Sequence, residues 1–262
     1  MQIRGFGIEA LTAPEVMREV ARAAEAAGYG SLWVNGSPPR AALELLAVAA
    51  EETTLPLGTG VLPLARRPIE DVLSDLRELG LPVERLWLGI GYGNPQGALD
   101  YMRRSVALIH DAGARAVVGA VGPRMTELAG EIGDAVSFTW WFRDAIEESR
   151  PLLETGAVRG GRPGAPPIMS YIRCALLPQA EATLAEQTAN YDAMPSFSKQ
   201  FTRHGRTARD TVVTGATAGE LQPGIAYEEA VLDIPVIRAV TADRSAGALL
   251  ELLEACRPPR EA

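Results

Sequence analysis

Short apolar runs alternate with amphipathic helical segments along this sequence, and the alternation constrains the fold more than any other feature. The runs have the length and β-branched content of buried strands, and they cover residues 3–8, 31–34, 55–62, 86–91, 114–121, 135–139, 166–177 and 232–240. Strands that alternate with helices form parallel sheets covered by helices. Eight such runs in this order predict a (β/α)8 barrel, the TIM-barrel fold of the α/β class.

Helical segments are predicted between these strands. They cover residues 14–27, 68–79, 95–112 and 246–256, and one further helix ends near Glu52. The region 181–204 is predicted to be a helical insertion near the end of the barrel. An insertion at this place is expected to cover the top face of the barrel or a partner subunit.

Length and composition indicate one globular domain. A chain of 262 residues has the usual length of a single (β/α)8 barrel, so one domain is expected over residues 1–262. The net charge of −8 argues against a nucleic-acid partner, which requires clustered positive charge. The longest apolar stretch, residues 41–50, contains Glu44 and is too short to span a membrane. Since the first residues read as a strand without a signal sequence, a cytoplasmic location is expected.

The cysteine and histidine content predicts no metal site. Cys174 and Cys256 are too few and too distant in sequence for a disulfide framework or a thiolate metal site. His110 and His204 have no second histidine or carboxylate at ligand spacing. Both cysteines are therefore expected to be thiols, and both histidines are expected to be structural.

The segment from Ala116 to Trp141 carries the clearest functional signal, because it reads as a strand, a glycine turn, a helix and a second strand. Gly122 occupies the cap of that helix and Pro123 its first position. Proline is favoured there because the N–H group that it lacks would have no hydrogen-bond partner within the helix. The free amides of the first turn, the helix dipole and Arg124 predict an anion site, most naturally for a phosphate. A purely structural glycine turn is the alternative interpretation.

Four segments together resemble one protein family. The sequence from residue 24 to 34, and then residues 57–62, 85–93 and 122–136, are similar in order and spacing to the bacterial luciferase-like oxidoreductases. Within this family the similarity is greatest to the branch that uses the deazaflavin coenzyme F-420. The resemblance implies a shortened luciferase-like TIM barrel that binds a deazaflavin or a flavin at the carboxyl ends of its strands.

The resemblance also implies which residues contact the cofactor. In such enzymes a non-prolyl cis peptide after the third strand supports the ring, and the matching pair here is Gly60 and Val61. Gly91 and Gly93 follow the fourth strand, where residues without Cβ allow a ring to approach the backbone. The loop from Val121 to Arg124 is expected to hold the cofactor phosphate.

The sequence departs from the family where a catalytic acid is expected. Many members of the F-420 branch carry an Asp-His or similar pair after the second strand, but here residues 34–38 read Val-Asn-Gly-Ser-Pro. The family's acidic residue after the fourth-strand glycines is also missing. Glu9, Asn35 and Tyr92 are the remaining candidate proton donors. The region after Gly93 is shorter than in typical relatives, which predicts a more open site.

The resemblance therefore implies an oxidoreductase that transfers hydride between coenzyme F-420 and a small organic substrate, because the cofactor supplies the chemistry and the protein positions it. Reduction of an activated double bond is favoured, since oxidation of an alcohol needs a general base. Three alternatives stay open: a monooxygenase that uses flavin mononucleotide (FMN), a non-catalytic cofactor-binding barrel, and a cofactor-free enzyme acting on a phosphorylated metabolite. Relatives often form dimers, so a homodimer is also an open alternative.

Overall fold

The order of strands and helices follows the predicted alternation. The structure is a computed structural model that describes residues 4–93 and 96–259, so Ile3 and Pro95, predicted to begin the first strand and a helix, lie outside the described residues. The strands are β1 (Gly5–Ile8), β2 (Ser31–Val34), β3 (Leu57–Thr59), β4 (Leu62–Pro63), β5 (Leu86–Gly91), β6 (Arg115–Gly119), β7 (Ala135–Phe138), β8 (Ile168–Leu176), β9 (Val212–Gly215) and β10 (Ile234–Val240).

Helices follow most of the strands. They are α1 (Pro14–Ala26), α2 (Pro39–Glu52), α3 (Ile69–Glu78), α4 (Ala98–Asp111), α5 (Pro123–Ile132), α6 (Arg143–Arg159), α7 (Glu181–Asp192), α8 (Pro195–Arg203), α9 (Ala218–Glu229) and α10 (Ala246–Ala255). Proline begins α1, α2, α5 and α8, as expected for a residue whose missing amide has no partner in the first turn. No helix in the described ranges has both the length and the apolar character needed to cross a membrane.

The parallel strands close into a barrel. The hydrogen-bonded order is β1, β2, β3, β5, β6, β7, β8 and β10, and β10 returns to β1. Gly5 of β1 is paired with Ser31 on one side and with Val236 on the other. The closed ring of eight parallel strands confirms the predicted fold class.

Two short strands lie outside this simple ring. After the Gly60–Val61 peptide, β4 pairs with the end of β5. The strand β9, which the sequence did not predict, pairs with Arg173–Leu176 of β8, whereas β7 pairs with the earlier residues Ile168–Ser170. The upper part of β8 therefore has β10 on one side and β9 on the other.

The interior of the barrel is apolar at its lower end and polar at its mouth. Residues from opposite strands form one interior cluster, which consists of Trp33, Val117, Ala135, Met169, Tyr171 and Val236. Farther along the same strands, Arg173 and Arg238 are also buried. Because side chains alternate between the two faces of a strand, Tyr171 and Arg173 lie on the same face as Met169.

The predicted insertion is divided into two helices. Residues 181–204 form α7 and α8, and the division lies at Ala193 and Met194, just before Pro195. Tyr191 of α7 packs against Trp140, with 4.3 Å between the ring centroids, and Phe197 of α8 packs against Tyr191. This insertion therefore covers the barrel end that follows β7.

Candidate active site

One cavity gathers most of the predicted cofactor residues. It has a volume of about 460 Å³, within the range of about 300–1,000 Å³ usual for small-molecule sites. Seven predicted residues line it, namely Gly60, Val61, Gly91, Tyr92, Gly93, Val121 and Gly122. Ser137, Thr139, Ser196 and Phe197 also line it. The cavity lies at the carboxyl ends of the strands, where TIM-barrel enzymes have their active sites.

The floor of the cavity is formed around Gly60. The peptide bond between Gly60 and Val61 is cis, as the resemblance implied. Directly before it, the hydroxyl of Thr59 donates to the carbonyl of Gly89 (3.0 Å) and accepts from the Gly89 amide (2.8 Å). Thr59 is fully buried. This side chain therefore joins the end of β3 to β5 and holds the two glycine segments in register.

Glycines leave open space in the cavity wall. A Cβ atom added to Gly93 or to Gly122 would meet no atom within 4 Å. A Cβ atom at Gly91 would meet only the Val61 side chain, at 3.0 Å. Backbone surfaces without side chains allow a flat ring to approach closely. The glycine backbone and the apolar wall residues fit a planar cofactor such as a deazaflavin or a flavin.

The amino terminus of α5 adjoins the same cavity. Gly122 is its cap and Pro123 its first residue, as predicted, and the first backbone bond of the turn runs from the Thr126 amide to the Gly122 carbonyl. The amides of Arg124 and Met125 precede the first residue able to donate within the helix. These two amides and the helix dipole fit a phosphate group.

Arg124 does not line the main cavity. It is exposed and lines a neighbouring cavity with Gly97 and Asp100, and Met125 borders both cavities. Arg124, which was predicted to help bind the phosphate, therefore lies at the rim of the Gly60 cavity. Met125 lies between the two cavities. Pro123 is exposed and borders neither cavity in the described part of the chain.

Glu9 does not line the Gly60 cavity, although its predicted role as a proton donor requires this. It lines a separate cavity of about 290 Å³ and forms ion pairs with Arg238 (3.2 Å) and Arg244 (2.7 Å). Burial would raise the pKa of Glu9, but the two arginines outweigh burial and hold this pKa below its usual value. Glu9 is therefore ionised at neutral pH, so the geometry does not support a role as proton donor.

The other two candidate donors have different surroundings. The side-chain oxygen of Asn35 accepts from the Ala10 amide at 2.7 Å, so Asn35 connects the ends of β1 and β2. It is not among the residues that line the Gly60 cavity. Tyr92 does line it, and its ring packs against Tyr101 with 4.7 Å between centroids. Of the three candidates, only Tyr92 borders the ring-sized cavity.

Sequence reasoning missed two polar residues inside the barrel mouth. Tyr171 and Arg173 are each 6% exposed and occupy alternate positions of β8. Burial raises the pKa of the Tyr171 hydroxyl. The available signal was a tyrosine and an arginine within a mostly apolar strand, because long polar side chains are rarely buried without a reason.

Cysteines and histidines of the described residues form no recognisable metal centre. No group of three or more histidine, cysteine, aspartate and glutamate residues suited to a metal occurs in the described ranges. The Nε2 atom of His110 lies 2.8 Å from a carboxylate oxygen of Asp134, which also accepts from the Ala116 amide. Cys174 and Cys256 are buried free thiols.

Together, the closed barrel and its carboxyl-end cavity define a TIM-barrel protein with a cavity of the size usual for small-molecule sites. The family model for luciferase-like monooxygenases matches residues 83–235, more than half of the chain, and the chain belongs to this family. No curated protein matches the sequence.

Solved structures with the same fold include proteins that bind either kind of cofactor. An F-420-dependent secondary alcohol dehydrogenase in complex with an F-420–acetone adduct has a TM-score of 0.73 at 15% identity, covering 98% of this chain and 100% of that chain. The F-420-dependent tetrahydromethanopterin reductase from Methanopyrus kandleri has a TM-score of 0.72 at 15% identity, covering 97% of each chain. A riboflavin lyase with modified FMN and riboflavin has a TM-score of 0.63 at 12% identity, covering 97% and 92%. At these identities the similarity shows the fold.

Proposed function

We propose that this chain is an oxidoreductase that transfers hydride between coenzyme F-420 and a small organic substrate, reducing an activated double bond. The observation that carries the proposal is the Gly60 cavity, which brings six of the residues expected to contact the cofactor, and the candidate proton donor Tyr92, to one place. They come from the ends of three different strands and the loops that follow them, so their convergence is a property of the folded barrel.

The ring and the phosphate of the cofactor would contact different parts of the cavity wall. Gly60 and Val61 would lie against the ring, and Gly91 and Gly93 would allow it to approach β5. The first turn of α5, with Gly122 as its cap, would hold the phosphate through backbone amides. Arg124 at the rim would add a positive charge to the same group.

The bound coenzyme in its reduced form supplies a hydride, and reduction of the double bond also consumes one proton. Tyr92 borders the cavity and carries a hydroxyl that can donate this proton. Glu9 is held ionised by its two arginines, so we assign it no proton transfer. Asn35 is assigned a structural role through its bond to Ala10.

A flavin-dependent monooxygenase is the second candidate function. The matching family model is that of luciferase-like monooxygenases, and one structural neighbour binds modified FMN. The same glycine-lined cavity fits an isoalloxazine ring, which is also planar. The two candidates differ in which cofactor binds and in whether oxygen is consumed.

Calorimetric titration of the purified protein with oxidised F-420 and, in parallel, with FMN tests both candidates. We expect binding of F-420 at micromolar concentration and much weaker binding of FMN. Tight binding of FMN with oxygen uptake would favour the monooxygenase instead. Binding of neither would overturn the proposal and favour the cofactor-free alternative.

A matched pair of variants locates the binding site. The Gly122→Leu substitution adds a side chain to the cavity lining, at a position where a Cβ meets no atom within 4 Å. Gly164 is equally open but does not line the cavity, and Gly164→Leu is the control. We expect at least tenfold weaker F-420 binding for Gly122→Leu and unchanged binding for Gly164→Leu. Equal binding by both variants would contradict the assigned site.

A further inference from the structure

Arg173 is a buried cation without an anionic partner. Its guanidinium carbon lies 3.6 Å from the centroid of the Trp140 ring, and Nη2 donates to the hydroxyl of Thr139 at 3.0 Å. Among the described residues, no carboxylate forms an ion pair with it. A guanidinium has five N–H donors, and this hydrogen bond uses one of them. Buried charges in proteins are normally paired, so the arrangement calls for an anion.

The surrounding charges do not supply that anion. Arg173 of β8 is directly paired in register with Arg238 of β10, so two buried guanidinium groups are neighbours. Glu9 is shared by Arg238 and Arg244. Glu186 and Asp243 line the same cavity as Glu9, and neither forms an ion pair with Arg173. Burial, together with the charge of Arg238, lowers the pKa of Arg173 to about 9, so Arg173 remains protonated at neutral pH. Arg173 is therefore a protonated cation that has no carboxylate partner among the described residues.

Two further donors beside Arg173 also have no partner. The hydroxyl of Tyr171 and the indole nitrogen of Trp140 are buried, and neither has a hydrogen-bond partner among the described residues. Because burial raises the pKa of Tyr171, its hydroxyl stays protonated and acts as a donor. Unsatisfied buried donors are rare and costly. All three groups call for an acceptor.

Arg173 and Tyr171 each contact a residue that lines the Gly60 cavity. Thr139, which accepts from Arg173, lines the cavity, and the ring of Tyr171 lies against Gly60, which also lines it. An anionic oxygen group bound beside Thr139 would also lie close to the guanidinium of Arg173, which donates to the Thr139 hydroxyl. Arginine is well suited to such a group, because its planar fork matches a carboxylate.

We propose that Arg173 binds the carboxylate of a small organic acid that enters this cavity as the substrate. The inference rests on the proposed function, because it takes the cavity to be the place where substrate and coenzyme meet. The coenzyme phosphate is expected at Gly122 after β6, whereas Arg173 is on β8, two strands farther around the barrel. The anion at Arg173 is therefore assigned to the substrate.

Titration calorimetry of the cofactor-free protein with acetate, crotonate and benzoate tests this assignment, with crotonamide as the uncharged match for crotonate. The variant Arg173→Met removes the charge and keeps a long apolar side chain. The control Arg104→Met removes an arginine that is 59% exposed and pairs with Glu70 on the surface. We expect binding of at least one carboxylate, no binding of crotonamide, at least tenfold weaker carboxylate binding in Arg173→Met, and no change in Arg104→Met.

Three results would overturn the inference: no binding of any carboxylate to the wild-type chain, equal carboxylate affinity in Arg173→Met, or loss of F-420 binding alone in that variant. The last result would assign the anion to the coenzyme. If neither F-420 nor FMN binds but carboxylate binding still depends on Arg173, the proposed function fails and the carboxylate site stands.

A second variant keeps the test decisive if Arg173→Met does not fold. Arg173→Lys retains the charge but replaces the planar fork with a single ammonium group. We expect at least threefold weaker carboxylate binding in this variant, with F-420 binding unchanged. Unchanged carboxylate affinity in a folded Arg173→Lys protein would overturn the inference.

Discussion

The ring of Tyr171 lies directly against the backbone of Gly60. A Cβ atom added to Gly60 would lie 2.7 Å from the Cζ atom of Tyr171, closer than side-chain contacts allow. Tyr171 is buried inside the barrel, so its ring has little space into which it can move. This contact connects the cavity floor to the strand that carries Arg173.

The variant Gly60→Ala is therefore expected to be destabilised and to bind F-420 poorly. Overpacking of a buried site costs about 1–3 kcal/mol, and displacement of Tyr171 would also deform the cavity floor. Thermal unfolding and F-420 titration measure the two effects. The control is Gly164→Ala, because a Cβ at Gly164 meets no atom within 4 Å. Equal stability and equal affinity of both variants would show that Tyr171 can move aside.

Thr59 gives a second prediction about the same floor. Thr59→Val keeps the shape of the side chain but removes both hydrogen bonds to Gly89. Buried backbone groups that lose a partner cost about 1–3 kcal/mol, and we expect a decrease of this size in the free energy of unfolding.

Denaturant unfolding measures this effect of Thr59, and two controls separate its causes. Thr59→Ser keeps the hydroxyl and should retain most of the stability. Thr155 is exposed and its hydroxyl donates to the Pro151 carbonyl in its own helix, so Thr155→Val should change the stability by less than about 0.5 kcal/mol. A Thr59→Val protein as stable as the wild type would contradict the bridging role.

The strands of the barrel were predictable because parallel strands buried on both faces read as continuous apolar runs. The helices α6 and α9, and the strand β9, were not predicted. Pro151 lies inside α6 and Pro223 inside α9, and proline disfavours a helix interior. Gly156 allows α6 to pack closely on α5, since a Cβ there would lie 2.9 Å from the Glu131 amide nitrogen. Tertiary packing therefore outweighs the local sequence preference.

The glycine-rich loops of the candidate site were predictable, whereas the residues inside the barrel mouth were not. Gly91, Gly93 and Gly122 are visible in the sequence because a close approach to the backbone requires glycine. Tyr171 and Arg173 lie on a strand whose two faces are both buried, so the alternation of apolar and polar residues does not reveal the inward face. Only closure of the barrel places Arg173 beside Arg238.

Tyr92 provides a prediction about catalysis. If its hydroxyl donates the proton, Tyr92→Phe should lower the rate of substrate reduction by about 100-fold, near the lower end of the usual contribution of general acids. The affinity for F-420 should stay the same, because the ring remains in place against Tyr101. Oxidation of reduced F-420 with crotonate as acceptor measures the rate.

The control for this experiment is Tyr227→Phe, because Tyr227 is 57% exposed and does not line the cavity. An unchanged rate in Tyr92→Phe would remove Tyr92 from the mechanism and indicate that water supplies the proton. A loss of F-420 affinity together with the rate would instead assign Tyr92 to cofactor binding.

The ion pairs of Glu9 predict a dependence of stability on pH. The pKa of Glu9 is lowered in the folded protein from the ordinary value of 4.5. The carboxylate therefore contributes stability above about pH 4.5, and this contribution is lost as the pH falls through the folded-state pKa. We expect Glu9→Gln to lower the free energy of unfolding by about 1–3 kcal/mol at neutral pH, because Arg238 is buried and loses its charged acceptor.

Below pH 4.5 the difference in free energy of unfolding between the wild type and Glu9→Gln should shrink. The wild-type carboxyl becomes protonated in this range and is then uncharged, like the glutamine. Chemical unfolding at a series of pH values measures this difference. Glu251→Gln is the control, since Glu251 is exposed and forms no ion pair among the described residues. The Glu9→Gln variant keeps an oxygen that can accept from Gln187, so a difference that stays constant from neutral to acid pH would contradict the assignment to the ionised carboxylate. A difference that shrinks at acid pH would assign the stabilisation to the arginine charges, which keep Glu9 ionised and therefore unable to donate a proton.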